Sequence, residues 1–250
     1  MFRNVYKIES SSFVTDIVTH DYRTAEVFRK YDIDFCCGGK WPLDIVCENK
    51  NLNADNIIGE LRKIVRQSAS NAALDFDSWD IDFLTDYILN VHHRYLKKAL
   101  PETKEQTAKF LEGHRNKFPE LEEIENIMNR FMKEIPPHMK QEEEIFFPYI
   151  KQIYHAHKHS ESYARLLIRT LRKPLEEVML KEHETTGSGL HRLRTITNNY
   201  TPPDNACITH KITFAKLNEL DKDLVQHIHL ESNILFPKAI EMEQELLQEK

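Results

Sequence analysis

The strongest constraint in this 250-residue chain is a set of polar side chains written into helical core stripes. A helix packed in a bundle carries apolar residues at alternating steps of three and four. Met128, Phe131, Ile135, His138, Glu142, Ile145 and Tyr149 keep that rhythm, and so do Leu217, Leu220, Leu224, His227, Glu231 and Leu235. On both lines a histidine and a glutamate, four apart, stand where leucine is expected. Leu89, His93, Leu96 and Leu100 form a third line, and Met179, His183, Thr186, Leu190 and Leu193 a fourth. Each of four helices therefore sends one imidazole inward. Two of them add a carboxylate one turn later, on the same helix face.

Burying such groups is costly unless they are paired. The six satisfy one another only imperfectly, whereas a pair of cations satisfies all of them. Imidazole plus carboxylate suits iron, manganese or zinc. Two bridging carboxylates would hold two metals about 3.5–4 Å apart. A lone His-x-x-x-Glu is more often a surface ion pair. Two of them on core stripes, ahead of Phe147-Pro148 and Phe236-Pro237, favour a dinuclear metal site. His92 points about 100° away from His93 and reads as a surface residue or one lying behind the ligands. His114, His155, His157, His159, His191, His210 and His229 read as solvated, and His20 belongs to another domain. Tyr87 and Tyr149 read as core aromatics.

The rest of the chain supports an all-α fold. Glycine is scarce, at 6 residues, which disfavours a fold rich in tight turns. Residues 68–78 have linker composition. Before them, Phe13, Ile17 and Val18 suggest a brief helix, Ala25, Phe28 and Tyr31 a second, and Asn53 an N-cap for a helix through Ile57, Leu61 and Val65. After them, helices are expected from Asp80 to Leu100, where Pro101 stops the first, from about Glu120 to Tyr154, from Pro174 to Asn198, and from Ala206 to Ser232, with a final turn or short helix after Pro237. The expected organisation is a small helical domain at 1–67, a linker at 68–78 and an antiparallel four-helix bundle at 79–250.

Lys and Arg number 34 against 40 Asp and Glu, a net charge of -6, which argues against a nucleic-acid partner. No run approaches the ~20 apolar residues of a membrane span, and the N-terminus lacks the apolar core of a signal peptide. Four cysteines, two of them adjacent, do not make a disulfide framework, so a reduced, cytoplasmic protein is expected. Cys36-Cys37-Gly38-Gly39 is a vicinal thiol pair before a flexible turn. Such a turn can lower a thiolate pKa, and the pair is suited to a soft metal, a nitrosyl group or an oxidation cycle. Two small buried hydrophobes are the plainer alternative.

These motifs resemble the iron-sulfur cluster repair di-iron proteins, the RIC family, in which a ScdA-type N-terminal domain precedes a hemerythrin-like bundle. The resemblance rests on Phe28 to Lys40 with Cys36-Cys37-Gly38-Gly39, on His138-x-x-x-Glu142 and His227-x-x-x-Glu231 with their Phe-Pro exits, on Glu182-His183-Glu184, and on Thr197 to Pro203. It implies two iron ions in an oxo-bridged centre held by His93, His138, Glu142, His183, His227 and Glu231, with both glutamates bridging. It further implies repair of clusters damaged by oxidative or nitrosative stress, by iron donation and/or nitric oxide handling, with Cys36 and Cys37 as a redox or iron/nitrosyl relay. Damaged iron-sulfur proteins would be the partners, nitric oxide or oxygen species the small ligands, and a homodimer the assembly. The alternatives are an oxygen or nitric oxide binding or sensing protein, or a nitric oxide reductase. One departure is Pro136-Pro137 directly before His138, which should kink the helix or start a new segment there.

Overall fold

The computed structural model describes residues 6–37, 39–66, 75–115, 121–161, 163–171 and 175–248. The linker expected at 68–78 falls largely outside them, as do Gly38, Pro174 and the side chain of Met179. Among the described residues the fold is all-α, with a single isolated bridge between Phe13 and Pro42. Two compact units form: residues 1–80 with 228–237, and residues 81–227 with 238–250.

In the first unit, α1 (Val14–His20), a 3-10 turn at Tyr22–Thr24, α2 (Ala25–Lys30), α3 (Leu43–Asn49) and α4 (Ala54–Arg66) surround a core containing Phe28, Phe35, Leu43, Ile57 and Leu61. Asn53 caps α4 as expected, its Oδ1 accepting the Asn56 N–H at 3.0 Å. α3 was not expected from the sequence, because it buries only Leu43 and Cys47 and so leaves no clear apolar stripe. Gly39 is required where it stands. Its carbonyl accepts the Thr15 N–H at 3.0 Å, and a Cβ there would collide with Thr15 Oγ1 and lie 2.8 Å from the Phe35 carbonyl oxygen.

The second unit is built on long helices interrupted by wide turns. The first runs α5 (Ile81–Tyr87), π1 (Ile88–His93) and α6 (Arg94–His114); the second runs α7 (Leu121–Gln141), π2 (Glu142–Phe146) and α8 (Phe147–Lys158). After α9 (Ala164–Leu171) come α10 (Leu175–Ile196) and the last helix, α11 (Ile208–Leu230), π3 (Glu231–Leu235) and α12 (Phe236–Gln248), of which residues 228–237 are counted with the first unit. Here α6 packs on α7 and α5 on α8, so the first two long helices are antiparallel. Arg192 pairs with Glu123 while His183 meets His138, which sets α10 antiparallel to α7. His92 meets Asp223 and Gln106 meets Thr213, so α11 opposes the first helix in direction. Gly189 lets α10 approach α7; a Cβ there would strike the Arg130 guanidinium and lie 2.7 Å from the Phe131 ring.

Several boundaries differ from expectation. Pro101 does not stop the first helix, which continues to His114. Buried Leu96, Leu100, Thr103, Thr107 and Phe110 lie on both sides of the exposed proline, and their packing outweighs one missing backbone bond. Likewise, no new segment starts at Pro136: α7 runs through Pro136 and Pro137. The last helix does not end near Ser232 but continues to Gln248. Each π segment adds a residue to its turn, which resets the stripe. Ile88 rather than Leu89 is buried one step before His93, and Phe146 is buried while Ile145 is exposed.

Candidate metal centre

The six side chains marked by the stripes converge. Donor atoms of His93, Glu142, His227 and Glu231 lie within 4.8 Å of one another, and so do those of His138, Glu142, His183 and Glu231. The two groups share both glutamates. All six residues are buried, Glu142 and Glu231 with 0% exposure. His93 Nε2 stands 3.1 Å from His227 Nε2, and His138 Nε2 stands 3.1 Å from His183 Nε2. In both pairs the ring centroids are 4.9 Å apart and nearly perpendicular. Glu142 reaches each pair, with one oxygen 3.5 Å from His93 Nε2 and the other 3.2 Å from His138 Nε2.

The wide turns place the carboxylates. His93 ends π1, Glu142 opens π2 and Glu231 opens π3. The α-helical turn before π2 keeps His138 and Glu142 on one face. The extra residue then restores the register of Phe146 and Phe147 with the core.

Two further carboxylates orient the imidazoles. His93 Nδ1 lies 2.8 Å from Glu143 Oε1, and His138 Nδ1 lies 2.6 Å from Glu182 Oε2. An ionised carboxylate only accepts, so the proton sits on Nδ1 and the Nε2 lone pair turns inward. Burial pushes the Glu143 carboxyl up, but hydrogen bonds from Lys97 and His93 outweigh it and hold it below its usual range. This carboxylate–histidine arrangement is what metal-binding imidazoles use. The donor chemistry, four imidazole nitrogens around two shared carboxylates in a dry core, fits two cations.

In the sequence Glu182 stands out only as part of the Glu182-His183-Glu184 motif, and neither it nor Glu143 is marked for this role. The available signal was an acidic residue beside a stripe ligand, facing the neighbouring helix. His92 does point away from the donor groups, but it is buried. Its Nδ1 is 2.9 Å from Asp223, which lies one turn before His227, and its ring stacks on His227 at 5.9 Å. Two expectations of solvation are corrected. His210 packs against Phe110 and Phe214, and His229 is fully enclosed beside Phe35 and Tyr22. Burial holds His229 neutral, with its pKa lowered to about 3. His155, His159 and His191 are exposed as expected. Tyr149 donates to Glu243 at 2.6 Å in the core.

The cysteine pair lies in the first unit. Asp34 Oδ1 accepts the backbone N–H of Cys36 at 2.9 Å and of Cys37 at 3.1 Å, and the two sulfurs are 3.6 Å apart. Asn233 donates to the Cys36 carbonyl at 3.1 Å. The turn does not activate Cys36. The Cys37 thiol, burial and the Asp34 carboxylate all push it well above the usual thiol range. Asp34, Cys36 and Cys37 nevertheless bring donor atoms within 4.8 Å of one another.

Comparison with known proteins agrees with this architecture. Residues 10–65 match the ScdA_N family, described as a domain of unknown function, and residues 84–239 match the hemerythrin HHE cation binding domain. The chain is 34% identical over 219 residues to a probable iron-sulfur cluster repair protein of Haemophilus influenzae, covering 86% of this chain and 90% of that one. It is 35% identical over 218 residues to the iron-sulfur cluster repair protein YtfE of Escherichia coli O81, covering 87% and 91%. With the hemerythrin HHE match spanning more than half its length and these relatives covering most of the remainder, the chain belongs to the iron-sulfur cluster repair proteins that join a ScdA_N domain to a hemerythrin bundle.

Proposed function

We propose that this protein restores iron-sulfur clusters damaged by oxidative or nitrosative stress. Iron donation and/or nitric oxide handling would take place at a di-iron centre held by His93, His138, Glu142, His183, His227 and Glu231. The observation that carries the reading is the sharing of buried Glu142 and Glu231 by two groups of imidazoles. When bound, the two irons supply one-electron redox chemistry and a cation that can be passed on. Glu143 and Glu182 fix the tautomers of His93 and His138. Glu142 offers one oxygen to each side. Phe147, stacked on His93 at 5.5 Å, keeps water from that imidazole.

Cys36 and Cys37, with Asp34, are assigned the relay of iron or a nitrosyl group to a client. Their clustered donors support this role. Partners are damaged iron-sulfur proteins, the small ligands are nitric oxide or oxygen species, and the working form is a cytoplasmic homodimer. Among the described residues no helix is long and apolar enough to cross a membrane. Domain boundaries at 1–67, 68–78 and 79–250 are supported by the family matches at 10–65 and 84–239.

The test is incubation of anaerobically iron-loaded protein with a cluster-damaged client. Movement of iron and return of the client's cluster spectrum are expected. Iron retained with a spectral shift on exposure to nitric oxide would replace this reading with a binding or sensing role. Unchanged repair by a Cys36→Ser, Cys37→Ser variant would remove the relay.

A further inference from the structure

Cys207 lies outside every site described so far. It is a free, exposed cysteine directly before α11. Its Sγ accepts the backbone N–H of His210 at 3.4 Å, as a capping side chain does for the third residue of a helix. His114, at the end of α6, presents Nε2 to the sulfur at 3.3 Å. The other ring nitrogen, Nδ1, is 2.9 Å from the Phe110 carbonyl oxygen, which can only accept. The His114 proton therefore sits on Nδ1, and the Nε2 lone pair faces the thiol. Phe110 and buried His210 fix the ring, with centroids 4.6 and 6.4 Å away. A base within reach, the N-terminal end of a helix and solvent access thus meet at one sulfur, the combination that makes a cysteine nucleophilic. Cys36 and Cys47 lack it, because both are buried and burial helps push their thiols above the usual range.

We propose that Cys207, served by His114 as its base, is a reversible thiol-modification site for low-molecular-weight disulfides of the glutathione class. The S–H proton passes to His114 Nε2 as the sulfur attacks one sulfur of the disulfide. The protein–small-molecule S–S bond forms while the original S–S bond breaks. The departing thiolate then takes the proton from His114. Cys207 is oxidised to a mixed disulfide, and half of the small disulfide is reduced to thiol. The adduct replaces the thiol–imidazole contact between the end of α6 and the start of α11, and a small thiol reverses it.

The experiment treats the full chain with oxidised glutathione at neutral pH and reads each cysteine by peptide mass spectrometry over time. Cys207 is expected to carry the first adduct, and dithiothreitol to remove it. His114→Gln should slow adduct formation at Cys207 on the order of tenfold or more while leaving the rate at Cys37 unchanged. Should His114→Gln fail to fold, the wild-type chain in urea is the comparison, and native Cys207 should react faster than unfolded Cys207. First modification at Cys37, an unchanged Cys207 rate in folded His114→Gln, or a native rate no faster than the urea rate would overturn the proposal.

Discussion

At the scale of single residues, Glu142 has the most to lose by substitution. Its two oxygens face two different imidazoles, so loss of the carboxylate removes a donor from both sides. Glu142→Ala should reduce bound iron at both positions, whereas His183→Ala should weaken mainly the position it shares with His138. Metal analysis of anaerobically purified variants gives the stoichiometry. Among the described residues, Glu182 touches the centre through His138 Nδ1 alone. Glu182→Ala should leave the fold intact and weaken metal binding by roughly 10–100-fold, as for other carboxylates behind a ligand histidine, which chelator competition would read. The six converging donors were legible in the sequence because a histidine or glutamate in a leucine position breaks a periodic pattern. Glu143 and Glu182 were not, because a partly exposed glutamate breaks none. Only the neighbouring helix gives each its partner. His229 was misread for a related reason. Its enclosure comes from Tyr22 and Phe35, about two hundred residues away in sequence.

At the scale of elements, the π segments and the helix contacts matter most. A step of five, as from Ile88 to His93, looks in sequence like an error in a three-four rhythm, so the rhythm points to Leu89 and Ile145 where the structure buries Ile88 and Phe146. The prolines misled in the opposite direction. Local propensity argues for a stop at Pro101, but packing on both sides of it decides otherwise. The approach of α10 to α7 depends on the absence of a side chain at Gly189. Gly189→Ala should force the Phe131 ring or Arg130 to move and cost about 1–3 kcal/mol. A lowered melting temperature is expected, together with looser metal binding at the His138–His183 pair. An unchanged Tm would show that Arg130 alone yields.

At the scale of the whole molecule, stability should depend on metal and on pH. A cation bound only by the folded chain stabilises it by about 4 kcal/mol when its free concentration is a thousandfold above Kd. Chelation should therefore lower the Tm, and ferrous iron added back without oxygen should restore it. His229 sets a separate dependence. Its folded pKa is about 3 against 6.5 in the open chain, so between those values the unfolded chain binds a proton that the folded chain refuses. Stability should fall as pH drops through that window, by on the order of 1 kcal/mol per pH unit from this group. Urea titrations of metal-free wild type and His229→Gln would measure the difference, with a shallower slope expected for the variant. The sequence by itself determined the helical class, the capping of α4 and the six inward donors, because periodicity and the cost of burying polar groups act within each helix. The tertiary structure alone decided which helices continue through proline, which histidines are enclosed, and which outer carboxylates orient the site. Those outcomes depend on side chains supplied by distant parts of the chain.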